Sequence, residues 1–549
     1  MKINNFLKNF FYGGIIFLAF VFIIRPLLHG GFFPTFDDIQ VVRIDVMSQE
    51  LLSGQIPVRY VNDLGNSGGY FLFNFYSPLV YYLGAILHIL GFTLVKATKL
   101  VFILGYLIGG AGIFVLLKAY SDKLSSSLGV ILFLTSSYLG YDAYTRGALA
   151  EFFGFALLPW VFWAFLSLKK QPNLNKILTA GFFYALLIVS HNITSYAVFI
   201  FLLLIFVLPP YSKKIISSYI FSVIVALAFS AFYWMPLVIE YKFLNLTSNP
   251  SIVKQYFSNF LSPLQIAGIQ NINWGIRPPI LGLGLFLGVV FSALIIFYRH
   301  KKGKNVNSVS IFAFLGFLLS IFLISDLSKP VWDMVPFFKY IQFPWRFLTI
   351  STVLAVFFIS ITISKFTNPL TKILFFTIFI IPAITMNYQY LRPSTYNYIA
   401  VYKAEDICST TTWAQEYLPK WTSACLPKPK KKSVPLIVSK DFGAQVNSIN
   451  ESNNGRAISF GIITQKNSQV LIRRYYFPGW NVFIDDKQAN TRPSGKEGLI
   501  AVVVPSGAHS VKALWQGTLV ENASNWISFI TFSVALVFLF SYRKLKKLL

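Results

Sequence analysis

PPILGLGLFLGVVFSALIIFYRHKKGKNVNSVSIFAFLGFLLSIFLIS, residues 278–325, sets two apolar runs on either side of one basic loop, Arg299-His-Lys-Lys-Gly-Lys304. Each run approaches the roughly 20 apolar residues that a bilayer-spanning helix needs. Lys and Arg concentrate in loops that stay on the cytoplasmic side. The stretch therefore reads as two spans joined inside. Thirteen stretches of this kind run along the chain: 10–28, 72–93, 99–117, 124–140, 148–168, 175–190, 194–209, 214–236, 278–298, 308–325, 344–363, 370–386 and 524–541. The first lacks a small-residue cleavage site and reads as a retained span, not a signal peptide. Composition agrees, since 55% of the 549 residues are hydrophobic and only 12% charged, against about a quarter charged in soluble domains. An ordinary soluble enzyme and a disordered chain are both excluded. The 47 Lys+Arg against 20 Asp+Glu give +27. Because these cations flank apolar runs throughout, the charge reads as membrane orientation and not as nucleic-acid binding.

The anchors Arg299–Lys304 and Arg543–Lys547 are separated by four spans, so both can be cytoplasmic and residues 387–523 lie outside. Counting from these anchors and from Lys2 and Lys8 puts loop 29–70, His191 and segment 141–147 outside, with both termini cytoplasmic. Three apolar stretches then lie between two outside segments, where an even number is required. One must be re-entrant, interfacial or split, and the Ser-rich 124–140 is the expected one. The expectation is a polytopic α-helical membrane protein of 12 or 14 spans. Its parts are a multi-span domain over 1–386, a β-rich extracytoplasmic domain over 387–523, and a last span with a basic tail over 524–549.

The β-rich expectation rests on alternation at strand spacing in Val470-Leu-Ile-Arg-Arg-Tyr-Tyr476 and Trp480-Asn-Val-Phe-Ile-Asp485, the period of a half-buried strand. Turn signals separate such runs at Pro478-Gly479, Asp485-Asp486, Pro493-Ser-Gly495 and Pro505-Ser-Gly507. Both cysteines, Cys408 and Cys425, fall on this exported side, where a lone pair suggests a disulfide closing an 18-residue loop, with two free thiols as the alternative. The five His are scattered without ligand spacing, so no sequence-local zinc site exists.

Acids are scarce enough to be informative. Asp37, Asp38, Asp45, Glu50 and Asp63, five of the 20, fall in the first outer loop. Residues 39–52 read as an amphipathic helix, which Asp37 or Asp38 would cap. Neighbouring residues point different ways, so one of the two would work on a substrate and the other cap or support. The working carboxylate could activate an acceptor hydroxyl as general base, or hold a divalent cation. The bland alternative is a solvated loop. A second cluster, Asp142, Arg146 and Glu151, suits a partly buried polar site at a span's edge, or an ordinary capped helix end. A third runs from Asp326 to Asp333 and on to Gln342-Phe-Pro-Trp-Arg346, where a guanidinium in a proline-aromatic frame suits phosphate, or simply snorkels. Arg25 has the same two readings. His191-Asn192 is a loop pair between two spans, and the 57 Phe read as lipid-facing filler.

Phe36-Asp-Asp-Ile-Gln40, Gly54-Gln-Ile-Pro-Val-Arg59 and Phe73-Asn-Phe-Tyr-Ser-Pro78 resemble the first outer loop of the bacterial 6-pyruvoyl-tetrahydropterin synthase-related membrane proteins. Tyr144-Thr-Arg-Gly-Ala-Leu-Ala-Glu151, Ser190-His-Asn192, Gln342–Arg346 and Thr411-Thr-Trp-Ala-Gln-Glu-Tyr-Leu-Pro419 are similar to later blocks. Where family members often carry His before the acidic pair, this chain has Phe36. The histidine-bound zinc of the soluble pterin synthase has no counterpart here, so that enzyme's activity does not carry across.

The resemblance implies the GT-C architecture of integral-membrane glycosyltransferases, with an outer-loop acid as base or metal contact and a polyprenyl-phosphate sugar as donor. On the matched positions Asp37 and Asp38 are the catalytic candidates, with Arg146, Glu151, His191 and Arg346 for donor phosphate or substrate. A divalent cation, if any, would sit at Asp37 or Asp38. The implied partners are membrane lipids, the lipid-linked donor and an envelope glycan or protein acceptor, at the outer face of a bacterial inner membrane. A transporter or flippase would place its ionisable groups at the midplane, often in repeated halves, and a non-catalytic envelope scaffold would use the β-domain to bind a partner.

Overall fold

Apolar runs that satisfy their own backbone groups fold as helices, and such helices organise most of the described residues before the strands. The computed structural model describes residues 2–206, 208–245, 255–270, 277–395, 415–427, 436–439 and 443–548. The helices used below are α1 (Lys2–Leu28), α2 (Gln40–Leu52), α3 (Leu79–Ile89), α4 (Leu94–Lys118), α5 (Lys123–Leu134), α6 (Ser137–Gly140), α7 (Leu149–Lys170), α8 (Leu174–Ser190) and α9 (Asn192–Phe206). They continue as α10 (Lys213–Phe229), α11 (Ala231–Ile239), α12 (Leu283–Lys301), α13 (Ser308–Ile324), α14 (Lys329–Met334), α15 (Leu348–Ile363), α16 (Pro369–Thr385) and α17 (Leu519–Leu548). Five helices are long and apolar enough to cross a membrane, and eight crossings result if each bent pair counts once. The shorter apolar helices α8, α9 and α16, with the 30-residue α17, bring the candidates among the described residues to twelve.

Stretch 124–140 is split, one of the expected resolutions of the parity problem, bending by 43° between Lys123–Leu134 and Ser137–Arg146. A second stretch that falls short of a simple span is 72–93. There α3 has 11 residues, rising only about 16 Å where the hydrocarbon core is roughly 30 Å thick. It packs instead on α2, so closely that a Cβ on Gly84 would stand 2.4 Å from Ile44 Cδ1. Two crossings, α4 and the bent α5–α6 pair, then join loop 29–70 to segment 141–147, and backbone bonds hold these two segments side by side. Two more stretches bend sharply: α10–α11 by 80° and α13 into Asp326–Met334 by 84°.

The capping role expected of Asp37 or Asp38 is not found. Ile39 occupies the N-cap of α2 without a side-chain cap bond, because the chain at Asp37 is drawn off to bond a neighbouring segment.

From Ile437 onward the chain forms two antiparallel sheets. β1 (Ile437–Ser439), β4 (Ser468–Tyr475), β8 (Leu499–Val504) and β7 (Thr491–Ser494) make one, in that order. β2 (Gln445–Ser452), β3 (Ala457–Thr464), β9 (Gly507–Trp515), β5 (Trp480–Ile484) and β6 (Lys487–Ala489) make the other. Asp485 and Asp486, both left-handed, form the two-residue turn between β5 and β6, as primed hairpin turns require. Of the expected disulfide, Cys408 lies outside the described residues, as do Thr411–Ala414 of the last matched block.

The β-layer is not a free-standing unit. Its core takes in Tyr60, Phe71, Phe75 and Leu244 from the membrane part. Phe71 stacks on Phe477 at 4.2 Å between centroids, and Tyr60 meets Trp480 at 5.7 Å. These aromatics are the seam between the two parts and not lipid-facing filler. Polar clips flank the seam: Arg474 Nη1 donates to the Ser67 carbonyl at 2.9 Å, and Arg456 Nη2 to that of Ser53 at 2.8 Å. The buried Arg59 ties the loop to α17 through Asn525 Oδ1 at 2.7 Å.

Glu50 sits in this seam, 1% exposed, accepting from the Asn62 amide and from Asn454 Nδ2, each at 2.9 Å. Burial pushes its carboxyl up to about 7 from an ordinary 4.5. Folding therefore raises this pKa, so its contribution is full below about pH 4.5 and is lost as pH rises through about 7. The seam is expected to loosen over that window, by an amount on the order of 3 kcal/mol. Limited proteolysis of the loop–sheet junction at several pH values checks this. Glu50→Gln should flatten the dependence, and parallel profiles for the two proteins would contradict it.

Candidate active site

The site is built where four chain segments meet at one end of the bundle. After α6 the chain continues as a π-helical turn, Tyr141–Arg146, stopped by Gly147 in the left-handed region with φ 68°. A Cβ there would stand 2.3 Å from Thr35 Oγ1, so glycine lets the outer loop approach. Once close, the loop bonds to the turn through Phe36 N to Thr145 O at 3.1 Å and Asp37 N to Arg146 O at 2.7 Å. Such π turns recur at functional sites, and here the turn brings Arg146 to the loop's first acid.

Glu151, in the first turn of α7, is the hub. Its Oε2 accepts from Arg146 Nη1 at 2.6 Å and from Arg346 Nε at 3.2 Å, and its Oε1 from the Tyr138 hydroxyl at 2.7 Å. His191 caps α8, with Nε2 3.9 Å from Glu151 Oε2 and Nδ1 2.7 Å from Thr194 Oγ1. Arg346 comes from the 3-10 turn Pro344–Phe347 that opens α15, and its Nη1 donates to the Ile341 carbonyl at 2.7 Å and to Gln342 Oε1 at 3.0 Å. The proline-aromatic frame expected around this guanidinium is present, with Phe343 under Arg346 and Trp345 under Arg146, each 5.0 Å from the ring centroid.

Exposure separates the acids. Side chains of Asp142 and Glu151 are 0% and 2% exposed, whereas Asp37 is 28% exposed, with Oδ2 3.6 Å from Arg146 Nε. Asp37 is thus the acid at the mouth of the cluster. Asp38 makes no ion pair with Arg146 among the described residues, and burial pushes its carboxyl above the usual range, with the Asp37 charge adding. Both Asp142 oxygens are buried without a hydrogen bond, and the nearest cation is Arg146 Nη1 at 3.8 Å.

The structure brings together Asp37, Arg146, Glu151, His191 and Arg346, and leaves Asp38 to one side. Arg25 is remote, bonding Tyr388 at 3.4 Å, and Asp333 accepts from Tyr256. Tyr138 is a site member the sequence did not mark, because nothing in its local spacing points to Glu151. Asp142 was visible in its cluster, but its isolation became evident only with the fold.

A divalent cation does not fit these residues as arranged. The two carboxylates of Asp37 and Asp142 already face the Arg146 guanidinium, with Nε and Nη1 at 3.6 and 3.8 Å. Among the described residues no three His, Cys, Asp or Glu gather into a metal-holding group.

The family described as "6-pyruvoyl-tetrahydropterin synthase related domain; membrane protein" matches residues 73–391. That range holds Arg146, Glu151, His191 and Arg346 and begins after Asp37. No curated protein matches the chain. Similar solved structures include the archaeal oligosaccharyltransferase AglB from Archaeoglobus fulgidus, in complex with an inhibitory peptide and a dolichol-phosphate. That match has 12% identity, a TM-score of 0.47 and 71% coverage of this chain, which spans 57% of the other. ArnT from Cupriavidus metallidurans bound to undecaprenyl phosphate is similar at 10% identity and a TM-score of 0.32, with 64% and 77% of the two chains covered. The chain is mostly helical, with several apolar helices and a β-sheet layer near its end, as expected from the sequence.

Proposed function

The chain belongs to the 6-pyruvoyl-tetrahydropterin synthase-related membrane proteins, and on that footing we propose that it transfers a sugar from a polyprenyl-phosphate donor to an envelope acceptor at the outer membrane face. Dolichol phosphate and undecaprenyl phosphate exemplify the class of donor lipid meant. The observation that carries the reading is the convergence of two guanidinium groups and a half-exposed carboxylate at the ends of spans, where a lipid-borne phosphate can enter sideways.

In this reading Asp37 accepts the proton of an acceptor hydroxyl. The acceptor oxygen forms a bond to the anomeric carbon while the carbon–oxygen bond to phosphate breaks. Polyprenyl phosphate leaves with that electron pair. Arg146 and Arg346 meet the charge that develops on it, in a site of low dielectric where fixed cations act strongly. Each keeps Nη2 out of the contacts that anchor it, which are hydrogen bonds to Glu151 and the 341–342 turn and the 3.6 Å ion pair of Arg146 with Asp37. Glu151 holds both cations in place and touches no reacting atom. His191, one step further back, supports Glu151.

Mass spectrometry of envelope glycans from cells with and without the protein tests the class. Loss of one sugar from a defined glycan is expected. Unchanged glycans with lost envelope complexes would favour a scaffold and sink the transferase.

A further inference from the structure

The spans that carry the charge cluster carry a second polar site at their other ends. Glu151 and Lys169 are 18 positions apart on α7, about 27 Å by helical rise. Arg346 and Lys365 bracket α15 in the same way, and α4 ends at Lys118. These separations are close to one hydrocarbon thickness. Between the far ends lies a cleft of about 600 Å³, lined by Lys118, Asp122, Lys169, Lys170, Lys365 and Asn307 among others. That volume lies in the range of small-ligand sites.

The cleft's charge is uncompensated. Its one acid, Asp122, is already used: Oδ1 caps α5 at the Leu124 amide, and Oδ2 accepts from Lys372 Nζ at 2.8 Å. Lys170 is held against the wall, donating to the Ala119 carbonyl at 3.2 Å with its ammonium 4.4 Å from the Tyr120 centroid. Lys169 is fixed on the Leu208 carbonyl. Lys118 and Lys365 make no ion pair or side-chain hydrogen bond among the described residues. Asn307 caps α13, so the positive end of a 17-residue helix also borders the cleft. Helix N-termini and ammonium groups together favour a phosphate.

We propose that this cleft binds the phosphate head of an anionic membrane lipid in the leaflet opposite the charge cluster. Its depth, one span length from that cluster, places it in the headgroup layer, where basic pockets between helix ends take such heads. Leu166, Val309 and the Pro209-Pro210 pair supply an apolar wall beside the cations. The assignment is independent of transfer activity.

The test uses the full-length protein in nanodiscs of phosphatidylcholine with a minor fraction of phosphatidylglycerol, with retained lipid counted by native mass spectrometry. Preferential retention of phosphatidylglycerol is expected. In Lys118→Gln/Lys365→Gln its affinity should fall roughly 30-fold, about fivefold per lysine, with the melting temperature kept. If the double variant misfolds, Lys365→Gln alone should show the fivefold loss. Equal retention of the two lipids, or unchanged retention in a folded variant, would overturn the site. Binding of inorganic phosphate without any lipid preference would overturn the lipid assignment in favour of a soluble phosphate ester.

Discussion

Asp37→Asn is expected to slow sugar transfer by about 10²- to 10⁴-fold, the usual worth of a positioned general base, while Asp38→Asn stays near the parent rate. The substitution is close to isosteric. It leaves the backbone bond from residue 37 to the Arg146 carbonyl untouched, so the loop should remain docked on the π-helical turn. What disappears is a proton acceptor at the exposed edge of the cluster. Release of polyprenyl phosphate in proteoliposomes measures the rate, and donor binding by the same variant should change little. Full activity in both variants, or loss confined to Asp38→Asn, would refute the assignment of the base.

Glu151→Gln is expected to cost folding stability before it costs chemistry. The carboxylate is 2% exposed and faces two guanidinium groups that are 11% and 8% exposed. Removing its charge leaves two buried cations facing each other. Breaking a buried pair in this way typically costs about 3–5 kcal/mol, and water is scarce at this depth to offset it. Yield and melting temperature in detergent should both drop. The double variant Glu151→Gln/Arg346→Met removes one of the stranded cations and should recover much of the loss. A single variant as stable as the parent would show that Glu151 is not the counter-ion.

How far the chain could be read in advance divides along physical lines. The crossings were legible because each needs some 20 apolar residues in a row, and that demand is local. The 80° bend at Ser230 was not, since the apolar run continues through it, whereas the 84° bend at Ser325 falls where the apolar stretch 308–325 ends. The failing stretch, 72–93, is as apolar as its neighbours. One of its faces, Val80, Tyr81, Gly84 and Ala85, is buried in contact with α2 and α4, which only tertiary packing decides. In the site, the charged residue types were marked by scarcity, and Arg346 by its proline-aromatic frame. Their convergence was not marked, because Arg346 and Glu151 are 195 positions apart. Nor could spacing choose between Asp37 and Asp38. The choice belongs to the backbone pairing with residues 145–146. Phe71 and Phe75 looked like two more among 57 Phe, and nothing short of the fold shows that they face aromatic partners on the strands.

That aromatic seam sets a timetable for biogenesis. The Ser67 carbonyl waits for a guanidinium 407 positions later in the chain, and Phe71 waits about as long for Phe477. During synthesis the rings of residues 60–75 therefore precede their strand partners by most of the chain, and only the last strands cover them.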